Sequence, residues 1–218
     1  MNSYYRGRQA DQYDQHWRKY TQETLAATSA MINYEALHQV AAQRKRPARV
    51  LDVACGTGIL LHHLLEHVPG IEASGVDESR DMLVQARETL NHQPHVRLEQ
   101  ADLNQGGWAR LFSAPTSFDL ITCTNALHDI ADPVTFLAEL RTLLRPGGQL
   151  VVEDFAPRRP IWLWAVFERL LRRVETASVH ALTLAEAQAC CEQAGLGVSA
   201  KKKLVIDWFW HGWVLRAG

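Results

Sequence analysis

The sequence carries almost no net charge and contains no long apolar run. Lysine and arginine number 23 against 24 aspartates and glutamates, so no basic field favours DNA or RNA as a partner. The longest wholly apolar stretch, IWLWAVF at 161–167, is too short to span a bilayer, and residues 1–15 lack the apolar core of a signal peptide. We therefore expect a cytoplasmic protein without a membrane span.

Cysteine is also scarce, with four residues in 218 and no Cys-x-x-Cys pair. This usage is typical of a reducing compartment, so we expect free thiols rather than disulfides, and no metal site. His63 and His67 share one helical face, but no acidic motif of the zinc-protease type accompanies them. An exposed helix is the favoured interpretation of these histidines.

What the sequence does contain is a regular alternation of β-type runs and helical periodicity from about residue 48 to 156. The predicted strands are 48–53, 71–77, 95–102, 118–125 and 149–155, and the predicted helices between them are 58–68, 79–91 and 132–144. After these come predicted helices at 161–174 and 182–195, then strands 201–210 and 211–218 joined by a tight turn. One or two helices are expected in 13–46.

These elements predict an α/β fold: a Rossmann-like, seven-stranded, mostly parallel sheet with helices on both faces and a C-terminal antiparallel hairpin. We expect a single domain over 1–218. Its predicted parts are an N-terminal helical lid (1–46), a cofactor-binding core (47–156), a helical cap that contributes to the substrate region (157–198) and the hairpin (199–218). The aromatic rings of the N-terminal segment either pack its helices onto the core or close over a ligand.

The stretch VLDVACGTGIL, residues 50–60, places two glycines just after the first predicted strand. Glycines there let a ligand approach the backbone at a helix N-terminus. A dinucleotide-binding loop needs a third small residue, where this chain has Leu61, and its pyrophosphate would be repelled by Asp52. Both departures favour a partly cationic ligand such as S-adenosylmethionine.

Five motifs in order resemble those of the class I S-adenosylmethionine-dependent methyltransferases. They are VLDVACGTG, GVDESRDML (75–83), EQADLNQ (99–105), FDLITCTNALHDIADP (118–133) and LLRPGGQLVVEDF (143–155). The resemblance implies in-line transfer of a methyl group from S-adenosylmethionine to an O, N or C nucleophile, with release of S-adenosylhomocysteine. The form of the fourth motif is similar to that of ubiquinone and menaquinone biosynthesis enzymes and of natural-product enzymes.

The same resemblance implies the cofactor-binding residues. They are Asp52, Ala54, Cys55, Gly56, Gly58, Asp77, Glu78, Met82, Ala101, Asp102, Leu103 and Asn125. Asp77 would bind the ribose hydroxyls, with a surface acid in a turn as the alternative. Asp102 would accept from the adenine amino group, unless it only caps the following turn. Met82 lies either along the adenine or in the core, and Cys55 is expected to pack the loop rather than react.

The acceptor side is less defined. His128 follows the fourth strand, where it acts either as a general base or as a residue that orders the loop or packs against the cofactor. The other candidate substrate residues are Tyr13, Trp17, Asp154, Trp162 and His180. The aromatic helix around Trp162 builds a specificity cap, buries against the sheet or forms a dimer face.

Several partners and activities are disfavoured by what the fourth motif lacks. It has neither the [D/N/S]-P-P-[Y/F] sequence that holds a flipped base nor a Pro-Cys nucleophile, which leaves a small-molecule acceptor. A nicotinamide-dependent oxidoreductase and a non-catalytic S-adenosylmethionine-binding module are the alternative functions. We expect a monomer or homodimer, and the sequence does not identify the acceptor.

Overall fold

A seven-stranded sheet in the order β3-β2-β1-β4-β5-β7-β6 forms the centre of the protein. The computed structural model describes residues 18–44, 46–91, 93, 95–112, 118–157, 180–207 and 210–218. The strands are β1 (Arg49–Val53), β2 (Glu72–Asp77), β3 (Val96–Gln100), β4 (Phe118–Thr124), β5 (Leu144–Phe155), β6 (Val198–Val205) and β7 (His211–Ala217). β1 to β5 pair in parallel, and β7 is antiparallel to both β5 and β6. The fold class predicted from the sequence is confirmed.

Helices cover both faces of this sheet. They are α1 (Arg18–Met31), α2 (Tyr34–Arg44), α3 (Ile59–His67), α4 (Arg80–Thr89), α5 (Pro133–Leu143) and α6 (Leu184–Gln193), with 3₁₀ turns at Trp108–Phe112 and Leu127–Asp129. Side chains of α2, α3 and α4 pack with Val50, Leu120 and Val151 in one apolar core. Side chains of α5, α6 and the first 3₁₀ turn pack with Ile121 and Val152 in the other.

Local sequence signals set the helix starts. The Ser79 hydroxyl accepts a hydrogen bond from the Met82 N–H and begins α4 at the position where the predicted helix 79–91 starts. Asp132 does the same for α5, whose first turn carries Pro133. None of the described helices is long and apolar enough to span a membrane.

Two boundaries differ from the sequence-based prediction. β5 begins at Leu144, five residues before position 149, because the chain pairs with Phe118 before an irregularity and resumes at Gln149. The hairpin turn also lies earlier than predicted: β6 ends at Val205, and Ile206 N–H donates to the Trp210 carbonyl. The predicted helix 161–174 lies outside the described residues.

The strand order places the carboxyl ends of the parallel strands β1 and β4 side by side, at the point where the order of successive strands changes direction across the sheet. In open α/β sheets ligands bind in the crevice at such a switch point. The loop after β1 and the segment after β4 both open onto it.

Candidate cofactor and acceptor site

Three residues of the loop after β1 adopt left-handed backbone conformations. Ala54, Gly56 and Gly58 have φ values of 58°, 51° and 77°. The Cys55 N–H donates to the Val76 carbonyl, and the Gly58 N–H donates to the Cys55 carbonyl. A non-glycine residue at positive φ is uncommon and is found where surrounding structure imposes it, so Ala54 marks this loop as a constrained functional segment.

The two glycines of the loop face different surroundings. A Cβ atom added to Gly58 would lie 3.2 Å from the Ala86 Cβ, so this glycine lets α3 approach α4. A Cβ added to Gly56 would meet nothing within 4 Å. Gly56 therefore lines open space, which fits a ligand resting against its backbone.

Asp77, at the end of β2, ties this loop to the next one. Its Oδ2 accepts from the Gly56 N–H at 2.9 Å and its Oδ1 from the Ser79 N–H at 2.8 Å. Each carboxylate oxygen has a second lone pair, so both can also accept from ribose hydroxyls. Burial raises the pKa of the Asp77 carboxyl, and these two hydrogen bonds oppose the shift.

Asp52 lies beneath the glycine loop and is 1% exposed. The Thr122 hydroxyl donates to its Oδ1 at 2.7 Å. Burial raises the pKa of Asp52 to about 7, while the hydrogen bond from Thr122 opposes the shift and the charge of Asp77 adds to it. A nearby cation would lower that pKa again and favour the ionised form.

Cys55 packs inside this arrangement. A Cβ atom on Gly75 would lie 2.8 Å from the Cys55 sulfur and 3.0 Å from the Leu61 side chain, so both side chains press on β2. Burial, followed by the charges of Asp77 and Asp52, raises the pKa of the Cys55 thiol well above its ordinary value. The protonated thiol is a packing group here, because nucleophilic cysteines react as thiolates.

Acidic side chains border the same crevice. Partial burial raises the pKa of Glu78, and the nearby carboxylates raise it further. These carboxylates belong to Asp102, Asp77 and Asp129. Such a concentration of negative charge attracts a sulfonium or an ammonium and repels a phosphate.

Asp102 begins a turn after β3. Its Oδ1 accepts from the Asn104 N–H and its Oδ2 from the Gln105 side chain. Asn104, which the sequence analysis missed, binds the segment after β4: its side chain donates to the Asp129 carbonyl and accepts from the Ala131 N–H. No local pattern identifies Asn104, since the partners of its side chain lie more than 20 residues away.

The remaining candidate cofactor residues surround this turn. Met82 is 3% exposed on α4. The Ala101 N–H donates to the Asp77 carbonyl at 3.1 Å, which brings the end of β3 to that of β2. Leu103 and Ala101 are partly buried against the core.

Asn125 ends β4 in a left-handed conformation, with φ of 51°. Its N–H donates to the backbone carbonyl of Glu153 on β5. The Glu153 side chain is fully buried, and within the described part of the chain neither carboxyl oxygen has a hydrogen-bond partner. Burial, followed by the charge of Asp154, raises the pKa of Glu153 well above its ordinary value.

His128 and Asp154 form a pair that joins the segment after β4 to the end of β5. The His128 Nδ1 lies 2.9 Å from the Asp154 Oδ1, and the His128 backbone N–H donates to Oδ2 at 2.8 Å. The Phe155 N–H donates to Oδ1 as well. Asp154 is 1% exposed, and the His128 side chain is 13% exposed.

The other candidate substrate residues divide into two groups. His180 is exposed, and its backbone N–H donates to the His128 carbonyl at 2.8 Å. Tyr13, Trp17 and Trp162 lie outside the described residues.

Away from this crevice, the His63 Nε2 lies 2.8 Å from the Ser29 hydroxyl, and this contact joins α3 to α1.

Fold and crevice together define a Rossmann-like α/β protein whose acid-lined glycine loop suits a nucleoside with a cationic tail. Residues 51–150 match the family model described as a methyltransferase domain. The chain is 37% identical over 129 residues to a demethylmenaquinone methyltransferase of Deinococcus radiodurans, covering 59% of this chain and 52% of that protein. It is 31% identical to a ubiquinone biosynthesis O-methyltransferase of Aromatoleum aromaticum, covering 68% of this chain and 63% of that protein.

Solved structures share the fold. A magnesium protoporphyrin IX methyltransferase of Synechocystis PCC 6803 with bound S-adenosylhomocysteine superimposes with a TM-score of 0.67 at 16% identity, covering 98% of this chain and 95% of that one. Residues 51–150 thus match a methyltransferase domain, and the chain is similar to the class I S-adenosylmethionine-dependent methyltransferases, the family that its five motifs resemble. S-adenosylmethionine is the cofactor of that family, and the open side of Gly56 and the bordering carboxylates fit it. The chain spans about half the length of the first of these relatives.

Proposed function

We propose that this protein transfers a methyl group from S-adenosylmethionine to a small-molecule acceptor. The observation that carries the proposal is the Asp77 carboxylate, which is bonded to the Gly56 N–H and borders the open side of the glycine loop. When bound, S-adenosylmethionine supplies an electrophilic methyl group on a sulfonium. The sequence similarity to small-molecule methyltransferases supports the class of acceptor.

Each side chain around the crevice has a defined task in this proposal. Asp77 holds the ribose, and the backbone at Gly56 contacts the methionyl part. Asp52 and the carboxylates near Glu78 supply a negative potential that favours a cationic ligand over its neutral product. Positioning of the acceptor against the methyl group then provides much of the rate, because a sulfonium is already an excellent leaving group.

Calorimetry with S-adenosylmethionine tests the cofactor assignment directly. We expect one site per chain, with S-adenosylhomocysteine bound to the same site. NADH serves as the control ligand, and binding of NADH in place of S-adenosylmethionine would reject the proposal in favour of an oxidoreductase.

The acceptor is found by transferring an isotope-labelled methyl group into an extract of small metabolites and reading the products by mass. The proposal expects label in at least one compound, with matching formation of S-adenosylhomocysteine. A protein that binds the cofactor but labels nothing is a binding module. The four cysteines are free thiols, which supports the reducing cytoplasm as the compartment in which the protein meets its acceptor.

A further inference from the structure

We propose that Glu153 is a specificity-determining residue for the acceptor, and that the group it recognises is an amino group whose nitrogen receives the methyl group. This inference rests on the proposed methyl transfer and names its acceptor class. It is carried by the buried carboxyl of Glu153, which has no hydrogen-bond partner in the described part of the chain, and by its place beside the end of β4.

Glu153 lies at the carboxyl end of β5, next to the candidate cofactor crevice. It pairs with Thr124 on β4, and the preceding residue of that strand, Cys123, pairs with Val53 just before the glycine loop. Val151 belongs to the apolar core that contains side chains of α2, α3 and α4. Because side chains alternate along a strand, the Glu153 carboxyl lies on the same face of the sheet as Val151.

This face also carries Asp52 beneath the glycine loop. The Thr122 hydroxyl donates to Asp52 from β4, the strand between β1 and β5, so Asp52 and Glu153 are two strand spacings apart, ~10 Å across the sheet. Burial raises the pKa of Glu153, the charge of Asp154 adds to the rise, and the backbone N–H of Asn125 opposes it. The carboxyl is therefore close to the point where β4 opens onto the crevice.

The unpaired carboxyl is what points to a ligand. Buried polar groups are nearly always hydrogen-bonded, and both Glu153 oxygens are buried without a partner in the part of the chain that the structure describes. A carboxyl already out of water gives up no bond to solvent when a ligand donor arrives, so that donor contributes strongly to recognition. Binding requires the side chains that cover this end of the sheet to move aside.

The charges near Glu153 favour an amine over other nucleophiles. Asp154 follows it on β5, and both Asp154 and Asp52 are buried. None of the ion pairs found among the described residues brings an arginine or lysine to these three acids. A neutral amine takes over the positive charge of the sulfonium as it is methylated, so a negative field stabilises its transition state and product. The same field repels an anionic nucleophile.

The protonation state of Glu153 also favours an amine over a hydroxyl. Burial and the charge of Asp154 raise the pKa of this carboxyl well above its ordinary value, so it keeps its proton in the free protein. A protonated carboxyl accepts an N–H through its carbonyl oxygen but does not remove a proton from a hydroxyl. An uncharged amine already has a lone pair and needs no such removal.

The chemical step balances without another reactant. The nitrogen lone pair forms the bond to the methyl carbon while the carbon–sulfur bond breaks, and the electron pair of that bond returns to sulfur in S-adenosylhomocysteine. The nitrogen keeps its hydrogens and becomes an ammonium. Solvent takes the additional proton after the product leaves.

Infrared spectroscopy tests the carboxyl without turnover. The parent protein should show the carbonyl stretching band of a protonated, unpaired carboxyl, and E153Q should lack it. S-adenosylhomocysteine should leave the band in place, and adding the amine found by label transfer should shift it to lower frequency. Absence of the band from the free protein would overturn the proposal. Loss of the band with S-adenosylmethionine alone would overturn it as well, because Glu153 would then pair with the cofactor.

The second test measures kinetics with that amine. E153M removes both oxygens at a similar side-chain length and should lower kcat/KM for the amine at least ~10-fold, because a buried N–H loses its acceptor. Its affinity for S-adenosylmethionine should change less than about threefold. E153Q keeps a carbonyl oxygen and should fall between the parent and E153M. Both variants should melt no lower than the parent near pH 8, which a merely structural role would not allow.

Thr28→Val is the matched control. The Thr28 hydroxyl is also buried and has no partner in the described part of the chain, and it lies on α1, which packs against β5. Its replacement should likewise leave the melting temperature no lower, but kcat/KM should not fall. An equal loss of kcat/KM in T28V and E153M would assign the effect to packing and overturn the proposal.

The outcomes separate this inference from the function on which it rests. Label on nitrogen with kcat/KM unchanged in E153M overturns the role of Glu153 and leaves the methyltransferase activity standing. Label on an oxygen, carbon or sulfur atom overturns the acceptor class and also leaves that activity standing. Failure of the parent to transfer label to any compound overturns both.

Discussion

The carboxylate of Asp77 accepts a hydrogen bond from the backbone N–H of Gly56 at 2.9 Å, so the acid that we propose to bind the ribose also shapes the loop that we propose to contact the methionyl group. Replacing Asp77 therefore changes two things at once. A loss of affinity in Asp77→Ala alone cannot be assigned to the ribose. The ligand must be varied together with the protein.

We expect Asp77→Asn to weaken S-adenosylhomocysteine binding at least ~30-fold, because hydrogen bonds to a charged group contribute about 1.5–3 kcal/mol each. Removing the ribose 2′-hydroxyl from the ligand should weaken binding to the parent but hardly affect the variant. Calorimetry over this double cycle measures the coupling. Additive losses would mean that Asp77 acts only on the loop. Glu72→Gln, at the other end of β2, is the control.

The pH dependence of cofactor binding should report Asp52, whose pKa burial raises to about 7. A cationic ligand favours the ionised carboxyl, so below that pKa binding must first remove a proton. Affinity for S-adenosylmethionine should then fall up to about tenfold per pH unit between about pH 7 and pH 5.5. Proton release should appear as a dependence of the binding heat on buffer. Asp52→Asn should flatten the profile, and an unchanged slope would assign it to another group.

Glu153 should make the protein less stable as the pH rises. Burial and the neighbouring Asp154 raise its pKa, so above the ordinary pKa the unfolded chain ionises while the folded protein keeps the proton. Glu153→Gln should therefore gain about 1–3 kcal/mol near pH 8, or ~2–12 °C in Tm, and the gain should shrink toward pH 4. Thermal melts at both pH values measure it. The exposed Glu88→Gln should show no such difference.

Substitution of the two loop glycines should affect different properties: mainly the free energy of unfolding at Gly58 and mainly cofactor affinity at Gly56. Gly58→Ala places a Cβ 3.2 Å from Ala86 at a φ of 77°, and we expect it to lower the free energy of unfolding by about 2–4 kcal/mol. Gly56→Ala has the same kind of backbone strain at a φ of 51° but meets no atom, so about 1–2 kcal/mol is expected. Its main effect should be weaker binding of S-adenosylmethionine. Melts and calorimetry on both variants compare these losses, and the opposite ranking would contradict the assignment.

Much of this fold follows from local sequence. The strand runs and helix starts are visible because alternation, Ser79 and Pro133 act over a few residues. The predicted position of the C-terminal hairpin turn was wrong, because the apolar run continues past Val205 and the pairing with β7 determines where β6 ends. Long-range pairing also decides where β5 begins.

The site divides along the same line. Sequence motifs are enough to find Asp52, Asp77 and Gly56, since each lies in or beside the glycine loop or at the end of a strand. The bond between His128 and Asp154 joins positions 26 residues apart and depends on the register of β4 against β5. Asn104 is bound to the segment after β4 for the same reason and has no local signature.

The place of β7 in the sheet has a consequence for the order of assembly during synthesis. β6 is made before β7, yet among the described strands its one neighbour in the sheet is β7, which also pairs with Asp154 and Phe155 on β5. A nascent chain can complete the glycine loop as soon as β1 to β4 have emerged. The end of β5 that carries Asp154 must wait for its pairing with residues 211–217, so in each new molecule the part of the site proposed to hold the cofactor can form before the part proposed to receive the acceptor.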